Sequence, residues 1–62
     1  MSTPAYASAA QWYQKAAASG HAPAQTSLGS LYERGLGVPK DNLKALDLYR
    51  QAAGLANDKL IF

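Results

Sequence analysis

Sixty-two residues allow one small domain, and a globule of this length buries only about 60% of the surface its unfolded chain exposes. There is no cysteine and a single histidine, so neither a disulfide framework nor a zinc site is expected to stabilise it. A net charge of +2 with its basic residues spread along the chain argues against nucleic-acid binding, and a bias towards alanine, glutamine and leucine, with valine and isoleucine once each, argues for helices and against an all-β fold.

The opening Met1-Ser2-Thr3-Pro4 has neither the positive n-region nor the apolar run of a secretory signal. No apolar stretch approaches the ~18 residues of a membrane span, so no membrane insertion is expected. The absence of cysteine fits reducing and oxidising compartments equally, and localisation stays undetermined.

The first helix is expected over about residues 4–19. Thr3 suits its N-cap and Pro4 its first position, and Gly20 provides the left-handed residue that ends it. A second helix follows over 23–34 and stops at Gly35. At about 100° per residue, its Ala24, Gln25, Leu28, Gly29, Leu31 and Tyr32 share one side. Pro23, Thr26, Ser27, Ser30, Glu33 and Arg34 share the other. The segment Gly35-Leu36-Gly37-Val38-Pro39-Lys40 is dense in helix breakers, and Asp41 is a good N-cap for a third helix over 41–53. Asn57-Asp58 opens a partial or capping segment at 57–62. The whole of residues 1–62 reads as a single helical domain.

The third helix spreads Leu43, Ala45, Leu46, Leu48, Tyr49, Ala52 and Ala53 over roughly 220° of its circumference, far beyond the ~100° stripe of a helix packed on one side. The first helix does the same with Ala9, Ala10, Trp12, Tyr13, Ala16 and Ala17. Sliding the sequence by 36 positions explains the likeness: Ala9 falls on Ala45, Tyr13 on Tyr49, Ala16 on Ala52 and Ala17 on Ala53. Ala10 falls on Leu46 and Trp12 on Leu48, both apolar exchanges. Stacked helical hairpins demand such two-sided helices, because each unit packs on its partner and on the next unit. Leu28, Tyr32, Leu46 and Tyr49 are expected to be buried between the second and third helices, with Gly29 at a tight crossing.

Leu28-Gly29-x-x-Tyr32 followed by Ala45-x-x-x-Tyr49 resembles the tetratricopeptide pattern, with tyrosine in place of phenylalanine. The loop Gly35-Leu36-Gly37-Val38-Pro39-Lys40-Asp41 and Ala45-x-x-x-Tyr49-x-x-Ala52-Ala53 narrow the resemblance to the Sel-one-like repeat. Ala16-Ala17-x-x-Gly20-His21-Ala22-x-Ala24-Gln25 looks like that family's link between repeats. The resemblance covers about residues 9–54. It departs at Asn42, where the family usually has tyrosine, and after Ala53, where the pattern degrades. It implies an all-α fold, a short α-solenoid of antiparallel helical hairpins holding about one and a half repeats. It also implies a protein–protein interaction module, an adaptor whose first helices line a groove for a protein or peptide partner. Carried onto this chain, that face is Pro23, Thr26, Ser30, Glu33 and Arg34.

The residues of catalysis are scarce. His21 lies in a loop after a helix, and Ser19 and Ser27 are near it in sequence only, with no third group to orient a nucleophile. Glu33, Asp41, Asp47 and Asp58 share no spacing that joins two of them on a buried face. Asp41 reads as a cap, and Asp47 as a partner of Lys44 or Arg50 three residues away. Gly35-Leu36-Gly37 lacks the ending of a phosphate loop. No catalytic residue, cofactor site or metal site is expected. A small nucleic-acid binder using Lys40, Lys44 and Arg50 is the competing reading, and a spacer or oligomerisation element with no outside ligand is a third. One and a half repeats fall short of the three a solenoid usually needs. Trp12, Leu60, Ile61 and Phe62 are therefore expected to lack cover, marking either homo-oligomerisation or membership of a longer repeat array.

Overall fold

The computed structural model describes residues 5–54, and they form three α-helices: α1 Tyr6–Ala18, α2 Ala22–Arg34 and α3 Asn42–Ala52. There is no strand among the described residues, and the architecture is the all-α helical-repeat fold expected. Ala5 occupies the N-cap position of α1 without a side-chain hydrogen bond. Thr3, Pro4 and the segment 57–62 lie outside the described residues.

The helix ends follow from local chemistry. Gly20 takes φ 85°, a conformation costly for any residue with a Cβ. The turn lets the Gly20 N–H donate to the Ala17 carbonyl at 2.9 Å and the His21 N–H to the Ala16 carbonyl at 3.2 Å. Two carbonyls that the end of α1 would leave unpaired are thus satisfied. Pro23 sits in the first turn of α2, where its missing N–H costs nothing. Gly35, at φ 70°, ends α2, and the Leu36 N–H donates back to the Leu31 carbonyl at 2.9 Å. The Asp41 N–H returns to the Tyr32 carbonyl at 2.9 Å, so the connecting loop is pinned to α2 at both ends. Asp41 then caps α3, its Oδ1 accepting from the Lys44 N–H at 3.0 Å.

α2 is the middle helix and packs against both neighbours. The core is built from Ala10 and Ala17 of α1, Ala24, Leu28 and Leu31 of α2, and Leu48 of α3. Tyr13, Tyr32, Leu36 and Val38 pack around it. Alanines predominate because the backbones approach closely, which leaves room for few large side chains. Gly29 is the extreme case: a Cβ placed there would stand 2.7 Å from Tyr49 Cε1, so the Tyr49 ring lies directly across the α2 backbone. The buried Gln25 donates its Nε2 to the Ala17 carbonyl at 3.1 Å, a bond that offsets the cost of burying an amide.

One core residue is not where the sequence places it. Leu46 is 47% exposed, and Leu48 is the α3 leucine that fills the core, at 8% exposed. The two residues stand about 160° apart on the helix, so one neighbour cannot cover both. α3 docks on α2 through Ala45, Leu48 and the edge of Tyr49, which turns Leu46 outward. Tyr32 and Tyr49 are half-buried.

Leu48→Ala should therefore lower stability by about 2–5 kcal/mol, against about 0.5 kcal/mol or less for Leu46→Ala, as read from urea unfolding. Gly29→Ala should destabilise by about 1–3 kcal/mol because the Tyr49 ring must move.

Candidate protein-binding surface

Pro23, Thr26, Ser30, Glu33 and Arg34 fall within about 100° of one another around α2. Four of the five are exposed and Ser30 is half-buried. This arc points away from the core formed by Ala24, Leu28 and Leu31. It offers two hydroxyls and a pair of opposite charges on a rigid helix, a set of groups suited to polar recognition of a chain without reacting with it.

Glu33 is held in place from the next helix. The Tyr49 hydroxyl donates to Glu33 Oε1 at 2.8 Å. The hydrogen bond to this carboxylate, with a smaller contribution from burial, pushes the Tyr49 phenol above the usual tyrosine range. The ring that crosses Gly29 therefore also sets the position of an acid at the edge of the candidate surface. Sequence periodicity did not reveal this pairing, since Glu33 and Tyr49 are 16 residues apart on different helices.

Several other polar side chains make local contacts. Asp47 accepts from Gln51 Nε2 at 3.1 Å, not from Lys44 or Arg50 as the spacing suggests. Lys44 extends the other way, its Nζ 5.6 Å from the Tyr32 ring centroid, a cation–π contact. Ser19 Oγ donates to the Lys15 carbonyl at 3.3 Å. Among the described residues no three His, Asp or Glu side chains gather as metal ligands, and no helix is long and apolar enough to cross a membrane.

A second kind of surface is apolar. Trp12 is 65% exposed and pairs edge-to-face with Tyr13, with ring centroids 5.8 Å apart. Leu43 and Leu46 stand out from α3 at 80% and 47% exposed. Leu46 borders a groove of about 290 Å3 that is completed by Glu33, Asn42, Ala45 and Tyr49. Leu43 and Leu46 were absent from the residues expected at an interface, although the wide apolar arc of α3 was a signal for both. Leu60, Ile61 and Phe62 lie outside the described residues.

Three antiparallel helices, an inter-repeat glycine turn and a capped glycine-rich loop define a helical-repeat protein of the tetratricopeptide type. The chain belongs to the Sel1 repeat family, whose model matches residues 3–21 and 22–57. The boundary between the matches falls at the α1–α2 turn, so α1 is the closing helix of one repeat and α2 and α3 form the next. Sel1 repeats are non-catalytic modules that generally mediate protein–protein interaction. No curated protein matches the chain, nor does any solved structure.

The raised Tyr49 phenol gives a pH signature. A group whose folded pKa is raised stabilises fully below its ordinary value, near 10 for tyrosine, and loses that contribution as pH climbs through the folded pKa. Tyr49→Phe should thus be less stable than the parent chain at neutral pH by about 0.5 kcal/mol, the low end for a solvent-exposed hydrogen bond, with the gap closing in strongly alkaline solution. Thermal unfolding of the two chains across that range measures it.

Proposed function

We propose that this chain is a protein-interaction module that binds a protein or peptide segment along Pro23, Thr26, Ser30, Glu33 and Arg34. The observation that carries the reading is the Tyr49–Glu33 hydrogen bond at 2.8 Å. It fixes a charged side chain at the solvent edge of α2, and a preorganised charge loses less freedom on binding than a loose one. Hydroxyls at Thr26 and Ser30 suit backbone groups of an extended segment, and Glu33 and Arg34 suit a partner with both signs of charge. No catalytic step, cofactor or metal enters this function. The reading takes a protein and not nucleic acid as the ligand; the interleaving of Asp47 with the basic residues of α3, and the contact of Lys44 with Tyr32, support that choice.

The module works within a larger array, formed by further repeats or by other copies. The exposure of Leu43 and Leu46 on α3, and of Trp12 on α1, supports this part of the reading, since large exposed apolar groups mark interfaces.

Affinity capture with the intact chain, compared with Glu33→Ala and Arg34→Ala, tests the binding face. Gln11→Ala, at an exposed position of α1, is the control. The partner should be lost or weakened about tenfold in the two α2 variants, a loss typical of an energetically important contact, and retained by the control. Equal capture by all four chains rejects this face.

A further inference from the structure

The outer helices are bare on opposite sides. Positions 36 residues apart in the sequence, one on α1 and one on α3, are equivalent in the repeat. α1 buries Ala10 and Ala17 and leaves Trp12 exposed; α3 buries Leu48, the equivalent of Trp12, and exposes Leu46, the equivalent of Ala10. The side on which α1 lacks cover is the side on which α3 has it, and the reverse also holds. Among the described residues, α1 thus presents an exposed leading face and α3 an exposed trailing face.

The two faces also differ in chemistry. On the leading face Trp12 is joined by Lys15, one turn along and exposed, and α1 contains no acidic residue. On the trailing face Leu46 borders the groove lined by Glu33, and Leu43 is exposed on the same side of α3. An indole beside an ammonium group complements two leucines beside a carboxylate. Arg50 lies within the same exposed arc of α3 and would oppose Lys15, but against the Trp12 ring it is attracted. The favourable register therefore sets Trp12 towards Leu43, Leu46 and Arg50, and Lys15 towards Glu33. Leading against leading offers Lys15 no acid, since α1 contains none, whereas trailing against trailing, with Glu33 and Arg50 both present, is the competing contact, one that a Trp12→Glu chain would still make.

We propose that copies of this chain associate head to tail, the Trp12–Lys15 face of one copy seating on the Leu43–Leu46 face and Glu33 of the next. The proposal rests on the array reading above and specifies who the neighbour is. Such a contact is heterologous, joining different patches on the two copies, so it leaves a bare face at each end and does not close as a two-fold dimer.

The test uses the full chain and two variants that each block one face. Trp12→Glu leaves only the trailing face able to bind, and Leu46→Glu leaves only the leading face. Both positions are exposed, and circular dichroism checks that helix content is kept; Trp12→Ala and Leu46→Ala replace them if it is not. In sedimentation velocity, the parent chain should grow in mean mass with concentration beyond a dimer. Each variant alone should stay monomeric, and their equimolar mixture should form a heterodimer and nothing larger. Lys15→Glu should weaken association of the parent chain about two- to five-fold, the range of an exposed ion pair, with partial recovery when Glu33→Lys is added. A mixture that stays monomeric, or a single variant that still dimerises, overturns the head-to-tail contact while leaving self-association standing. A parent chain that is monomeric at every concentration overturns self-association as well.

Discussion

The arrangement of the three helices depends on the crossing of Tyr49 over Gly29. An α2 side chain at that point would collide with the ring, since a Cβ would stand 2.7 Å from Tyr49 Cε1. With glycine there, α3 comes close enough for Ala45 and Leu48 to be buried, at 2% and 8% exposed. Dispersion falls off quickly with distance, so this closeness is what lets small side chains make a core. The same crossing fixes the rotation of α3 about its axis. Once Ala45 and Leu48 face inward, Leu43 and Leu46 must face out.

Structure and surface are coupled through the same ring. Its apolar part packs at the crossing, and its hydroxyl reaches Glu33 at 2.8 Å. A residue on the candidate binding face is thereby tied to the packing of the next helix. α2, held from both sides, gives that face a rigid base. Gln25 completes the hold on the α1 side by meeting the Ala17 carbonyl at 3.1 Å, so the middle helix is fixed by a polar contact on one side and an aromatic one on the other.

Much of the fold was legible in the sequence because it is written in local rules. Gly20 and Gly35 stop helices where left-handed residues are needed, and Asp41 bonds the Lys44 N–H at 3.0 Å as an N-cap does. The self-match at 36 residues identified the repeat, and the wheel put Gln25 on the buried side of α2. The wheel could not decide which part of a 220° apolar arc faces an existing neighbour. Leu46 was therefore placed in the core where Leu48 belongs. The Asp47 partner was missed for a related reason: spacing allows several contacts, and Gln51 is the one made. The tie between Tyr49 and Glu33 joins two helices and has no signature within either.

The packing of α3 is the claim on which the rest stands, and nuclear Overhauser contacts in the intact chain test it most directly. Contacts are expected between the Gly29 α-protons and the Tyr49 ring, and between the methyls of Leu48 and Leu28, with none from the Leu46 methyls to Leu28. Strong contacts from Leu46 to Leu28, with the Tyr49 ring remote from Gly29, would mean that α3 is rotated and that both surfaces described for this chain are misplaced.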